Sequence, residues 1–100
     1  GSADSNTIED VTALDGAGGG VVVEGGSYNV VRRITVDGGD FGVALVRSPQ
    51  GSTEFRPATR NSATDCTIEN CDIGLKLNGT GSTYSGFTFT NCSTNVQNLE

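Results

Sequence analysis

From Ile34 to Val96 the chain runs in short stretches that alternate apolar and polar residues, break at a small or amide residue, and alternate again. The stretches repeat. Cys66-Thr67-Ile68-Glu69-Asn70-Cys71-Asp72-Ile73-Gly74-Leu75, moved 21 residues along, meets Phe87-Thr88-Phe89-Thr90-Asn91-Cys92-Ser93-Thr94-Asn95-Val96. Thr, Asn and Cys recur at matching places, as do most apolar positions. Moved back by 32 residues it meets Ile34-Thr35-Val36-Asp37-Gly38-Gly39-Asp40-Phe41-Gly42-Val43, with the same apolar pattern. Alternation on both sides of a break predicts two short strands joined by a bend. The 21-residue period is too short for a helical hairpin and suits one coil of a β-solenoid. A leucine-rich repeat has a similar length, but its Leu-x-x-Leu-x-Leu frame is missing.

Stacking the units predicts columns of side chains. Ile34, Cys66 and Phe87 are expected inside, as are Val36, Ile68 and Phe89, and Val43, Leu75 and Val96. Thr35, Thr67 and Thr88 form an outward column. Asn70 and Asn91 fall at the bend, where stacked amides can hydrogen-bond along the solenoid axis. Gly38 replaces that Asn one unit earlier and keeps the ladder short. The 11 residues that separate the two shifts fall in a polar stretch. Residues 47–62 are therefore expected to leave the coil as an insertion between Leu45 and Thr64.

The start of the chain reads differently. Ile8, Val11 and Leu14 stand at helical spacing, Asn6 or Thr7 can cap, and Glu9 and Asp10 suit a first turn. A capping helix over residues 6–16 is expected, ended by Gly16-Ala17-Gly18-Gly19-Gly20, with the coils occupying 18–97. Such a helix would cover strand edges that an open solenoid end exposes. Gly1-Ser2 and Leu99-Glu100 look like residues left by cloning and are expected to lie outside the fold.

The run Gly18-Gly19-Gly20-Val21-Val22-Val23-Glu24-Gly25-Gly26-Ser27-Tyr28-Asn29-Val30 resembles the opening turns of pectate-lyase-like β-helices, where a Gly-rich turn leads to a Val-rich strand, a Pro/Gly turn and a Gly-Thr-Tyr strand. Here Glu24-Gly25 stands where a Pro is common, and Ser27 replaces Thr. The later units are similar to the parallel β-helix repeats of the same superfamily, so the resemblance covers roughly residues 6–97. It implies an all-β, right-handed parallel β-helix of three to four coils. The superfamily includes polysaccharide lyases, glycoside hydrolases, epimerases and phage tailspikes, and fold alone selects none of these chemistries. A short segment with a covered front and an open back is most similar to the tailspike group. The expected function is a β-helix module of a phage tailspike or similar surface fibre, extracellular or on the virion surface, touching cell-surface polysaccharide and assembling as a homo-oligomer such as a trimer. The alternatives are a fragment of a polysaccharide lyase, hydrolase or epimerase, and a purely structural or engineered solenoid. About three coils give a short groove without a recognisable catalytic set, which argues against an intact enzyme.

Composition narrows the chemistry. With 100 residues a single domain is the default. Hydrophobic residues make up 34%, below the ~45–50% of globular domains, a figure that also counts glycine. The 15 glycines, with apolar residues in regular runs, point to short strands and tight turns. A net charge of −6 disfavours nucleic acid and anionic membrane surfaces as partners. No stretch reaches the ~18 apolar residues of a spanning helix. Histidine is absent, which removes His-based triads and the commonest zinc ligand.

Two groups of residues could carry chemistry. Asp37 and Glu69 share one outward column, and Asp40 and Asp72 share another just past the bend. Carboxylates on adjacent coils suit glycosidase acid–base work. No cofactor is expected, although the same carboxylates could bind Ca2+, and they equally suit a solvated acidic face. Arg47, Arg56 and Arg60 lie in the insertion with Lys76 nearby, and Arg is suited to the carboxylate of an acidic sugar. The same residues would serve as a solvated loop. Arg56-Pro57-Ala58-Thr59-Arg60 resembles an Arg-rich pectate lyase motif, but its proline spacing differs and no catalytic role carries over. Three cysteines make no disulfide framework. Cys71 and Cys92, one coil apart, are expected as reduced inward thiols, because parallel stacked side chains suit a disulfide poorly. The Thr column is reminiscent of ice-binding solenoids, but its neighbouring column, Asp37, Glu69 and Thr90, is not threonine.

Overall fold

A computed structural model describes residues 4–14, 19–47 and 58–100. Four coils stack along one axis. The first holds β1 (Thr7–Leu14) and β2 (Val21–Glu24); the second holds β3 (Gly26–Ser27) and β4 (Val30–Val46). The third holds β5 (Ala58–Thr59), β6 (Ser62–Thr64) and β7 (Thr67–Asn78), and the fourth holds β8 (Thr83–Ser85), β9 (Thr88–Thr90) and β10 (Thr94–Asn98). Every strand pairing among the described residues is parallel and joins one coil to the next.

The registers are those of the repeat. Thr35 pairs with Thr67 and Thr67 with Thr88; Val36, Ile68 and Phe89 align, as do Val43, Leu75 and Val96. Ile34, Val36, Val43, Cys66, Ile68 and Leu75 are buried, and Phe87, Phe89 and Val96 of the last coil pack half-buried against them. Period-2 alternation sends these chains inward and their neighbours out.

The first coil corrects the expected cap. Residues 7–14 are strand β1, not a helix, and they pair with β4 from Thr7↔Val30 to Leu14↔Asp37. Val11 thus stands above Ile34, Ala13 above Val36 and Thr12 above Thr35, so the Thr column has four members. Leu14 points outward and is 64% exposed. The helical spacing has another cause. Asp10 has a left-handed backbone (φ 59°), which bends the strand and resets its alternation. Ile8 and Val11 then both face inward three residues apart, as Val31 and Ile34 do around Arg33 (φ 53°).

Two further boundaries differ from expectation. The insertion was expected to span 47–62, yet Ala58–Thr59 pairs with Gly26–Ser27, Ser62–Thr64 pairs with both neighbouring coils, and Asn61 is fully buried. The coil is therefore regained by Ala58; Gln50, Arg56 and the rest of 48–57 lie outside the described residues. At the other end, the Leu99 amide donates to the Leu77 carbonyl at 2.7 Å, and Glu100 Oε1 accepts from the Ser82 amide at 3.1 Å. Residues 99–100 are part of the last coil.

Candidate functional site

The outward surface is organised by corners, each a stack of left-handed residues. Ser5, Tyr28, Arg60 and Gly81 form one; Asp10, Arg33, Asp65 and Gly86 a second; Gly38, Asn70 and Asn91 a third. A left-handed residue other than glycine costs ~1–2 kcal/mol. Here the repeated coil pairing on both sides supports it, and the side chains at these positions project from the stack.

The first corner carries an aromatic and a cation. Arg60 Nη1 donates to the Tyr28 hydroxyl at 2.7 Å, and its guanidinium carbon lies 5.9 Å from the Tyr28 ring centroid. Both side chains are exposed, Tyr28 at 55%. Hydrogen bond and cation–π contact together hold the guanidinium beside the ring. Arg47 is also exposed and directly follows β4, at the base of the insertion, and its amide donates to the Asn78 carbonyl at 2.9 Å. Lys76, half-buried, lies on β7 in register with Ala44 and Gln97.

At the second corner charge is cancelled locally. Arg33 bonds Asp10 at 2.7 Å and Glu9 at 2.7 Å, and Arg32 bonds Glu9 at 2.6 Å. The hydrogen bond from Arg33, reinforced by its charge and that of Arg32, holds the Asp10 carboxyl below the usual carboxylate value. The same contacts push the Arg33 guanidinium further up.

The third corner gathers the carboxylates. Asp37 and Glu69 are register partners on adjacent coils, both half-buried; Asp40 and Asp72 follow, both exposed. Asn91 Nδ2 donates to Asn70 Oδ1 at 2.7 Å, and Asn70 Nδ2 donates to Asp37 Oδ1 at 2.8 Å. The amide ladder forms as expected, and Asp37 extends it past Gly38 as a final acceptor. Among the described residues no three of Cys, Asp and Glu come together so as to hold a metal ion. The carboxylate candidates thus lie at the third corner, while Arg60 stands beside Tyr28 at the first.

The model of the right-handed β-helix region matches residues 1–98. The chain belongs to that family. No curated protein and no solved structure matches it.

Inside the β-helix runs a polar column. The Asn6 amide donates to Asn29 Oδ1 at 3.0 Å, the Asn29 amide to Asn61 Oδ1 at 2.8 Å, and Asn61 Nδ2 to the Gly26 carbonyl at 3.3 Å. Asn29 and Asn61 are buried, and Ser82 takes the corresponding place in the last coil. The signal was available in sequence, since Asn29 and Asn61 stand 32 residues apart, the repeat's own shift.

All three thiols of the β-helix are free: Cys66 and Cys71 buried, Cys92 half-buried. Burial pushes the Cys66 and Cys71 thiols up from their ordinary values. In the last coil Tyr84, 44% exposed, meets Phe87 edge-on at 6.0 Å, and Phe87 stacks on Phe89 at 5.4 Å.

Proposed function

We propose that this β-helix is a module of a phage tailspike or similar surface fibre, at the virion or cell exterior, and that it contacts acidic cell-surface polysaccharide through the Tyr28–Arg60 corner. The observation that carries this reading is the exposed aromatic ring with a guanidinium held at its hydroxyl. A tyrosine face packs on a sugar ring, and Arg is the side chain best matched to a sugar carboxylate. Arg47, at the end of the coil that carries Tyr28, is a further exposed cation. A rigid stack suits extended polymers, because each column repeats every ~4.8 Å. The test is retention of the chain on immobilised acidic and neutral polysaccharides. The expected result is retention on the acidic polymer that falls at high salt and is lost in Tyr28→Ala and Arg60→Ala. Equal behaviour of both variants and the parent would leave a purely structural solenoid.

The fibre reading includes self-association, as a trimer or another homo-oligomer. The exposed Tyr84, its edge contact to Phe87 and the stack of Phe87 on Phe89 support it by leaving aromatic surface on the last coil. Light scattering across a concentration range tests it; a strictly monomeric particle would end it.

A second reading, a polysaccharide lyase, hydrolase or epimerase fragment, is favoured by the Asp37–Glu69 register. Carboxyl groups on coils ~4.8 Å apart approach the ~5–5.5 Å separation of retaining glycosidases. Incubation with polysaccharide and sizing of the products separates the readings. Shortening that Asp37→Asn or Glu69→Gln abolishes would establish an enzyme.

A further inference from the structure

We propose that Cys71 and Cys92 form a two-sulfur site for a soft, two-coordinate cation of the Cu(I) class, bridging the third and fourth coils from within the β-helix.

The two residues are coil neighbours, because Glu69↔Thr90 and Ile73↔Thr94 bracket them in register. Gly39 holds the same position one coil earlier, so the column contains two thiols beside a bare backbone. Both face inward, Cys71 in the core at 3% exposure and Cys92 packed against it. Their side chains also point alike. Cys71 Sγ lies 3.4 Å from the carbonyl oxygen of Glu69, and Cys92 Sγ lies 3.7 Å from that of Thr90, in each case two residues back. Equal orientation on adjacent coils places the sulfurs about one strand spacing apart, ~4.7–4.9 Å. A disulfide needs ~2.05 Å. Two metal–thiolate bonds of ~2.3 Å laid end to end nearly span the gap. Cys92 Sγ also lies 3.8 Å from the Ile68 carbonyl oxygen, which belongs to the third coil.

The donor set selects the ion. Thiolates favour soft metals. Zinc asks for four ligands, and here there is no histidine and, among the described residues, no cluster of three ligating side chains. A cation content with two sulfurs in line remains. Binding breaks both S–H bonds, forms two S–metal bonds from the sulfur electron pairs and releases two protons to solvent; the metal keeps its oxidation state. Cys92, half-buried, is the side from which the ion enters.

The test is anaerobic titration of the reduced chain with Cu(I), against bicinchoninate as competing chelator. The expected result is one Cu(I) per chain, a near-ultraviolet thiolate-to-metal absorption, and an X-ray absorption spectrum with two sulfur neighbours and no nitrogen. Cys71→Ser and Cys92→Ser each lose the site, while Cys66→Ser keeps it. Should Cys71→Ser fail to fold, alkylation of Cys92 in the wild-type chain gives the same reading by abolishing uptake. Uptake that survives alkylation or Cys92→Ser, uptake only through copper-linked pairs of chains, or ready formation of a Cys71–Cys92 disulfide in the folded chain would each overturn the site.

Discussion

The backbone amide of Asn29 donates a 2.8 Å hydrogen bond to the side-chain oxygen of Asn61, which lies 32 residues later and one coil away. The Asn61 amide in turn reaches the Gly26 carbonyl, so one buried side chain satisfies the backbone of the coil above it twice. Inside a solenoid a turn has no water to bond with, and an unpaired buried backbone group is costly. The column places amides where the chain turns between β3 and β4, and between β5 and β6.

Asn61→Ala therefore leaves both the Asn29 N–H and the Gly26 C=O without this partner. At ~1–3 kcal/mol for each unsatisfied buried group, the expected loss is about 2–6 kcal/mol. Urea unfolding monitored by circular dichroism measures it. A loss below about 0.5 kcal/mol, the scale of an ordinary surface change, would show that the column is incidental to stability.

A second column is defined by absence of side chains. Gly20, Gly42 and Gly74 stack, with Asn95 below them, and each glycine faces the carbonyl of the next member. A Cβ at Gly42 would lie 2.6 Å from Ile68 Cγ2 and 2.7 Å from the Gly74 carbonyl oxygen. The backbone carbonyl belongs to a paired strand and cannot withdraw. Gly42→Ala is expected to cost about 2 kcal/mol or more, at the upper side of overpacking effects. Ala44→Gly on the same strand opens no clash and serves as the comparison. Equal midpoints for Gly42→Ala and the parent would contradict the close approach.

The repeat was legible because the core needs it: Ile34, Cys66 and Phe87 occupy one column, and their spacing survives in the sequence as two fixed shifts. The first coil was hidden for a physical reason. A left-handed corner at Asp10 puts Ile8 and Val11 on the same side, which a periodicity reading takes for helix, and Leu14 completes the illusion from the solvent side. The insertion looked too long because Ala58-Thr59 is short and polar at one position, and its pairing with Gly26-Ser27 comes from backbone alone. Of the candidate sites, the carboxylate columns followed from register. The Tyr28–Arg60 contact did not, since it depends on both residues sitting at one corner, which apolar patterning does not mark.

Charge at the second corner makes a prediction about acid. Asp10 titrates below its ordinary value because Arg33 donates to its carboxylate. A carboxyl whose folded pKa is depressed stabilises the fold above its unfolded pKa, ~3.9, and that contribution is lost as pH falls through the folded value. The pair is exposed, so the effect on stability is small. NMR titration of the Asp10 carboxyl carbon is the direct readout. Arg33→Gln should move its midpoint upward; an unmoved Asp10 would mean that the ion pair does not form in solution.

The insertion gives the last prediction, because the other coils show what the chain needs there. In the first coil Glu24 of β2 is joined to Gly26 of β3 by the single residue Gly25, which has φ 69°. Val46 and Ala58 are the register partners of Glu24 and Gly26, so they occupy the same two places one coil on. In the third coil Asn78, the partner of Val46, is followed by Gly79 and then by Thr80, which bridges to Thr59. The coil therefore closes with one linking residue or none, and residues 48–57 are surplus to it. Deleting 48–57 and replacing Arg47 by Gly reproduces the Glu24-Gly25-Gly26 connection in the second coil. Closure entropy changes slowly with loop length, ~0.6 kcal/mol per doubling, and a shorter link costs less of it. The expected outcome is a folded chain with unchanged circular dichroism and a melting temperature within about 5 °C of the parent, equivalent to ~1 kcal/mol for a domain of this size. Retention on acidic polysaccharide should weaken in the same variant, since Arg47 and Arg56 are gone while Tyr28 and Arg60 stay. A variant that fails to fold would show that the insertion covers apolar surface that the coils need buried.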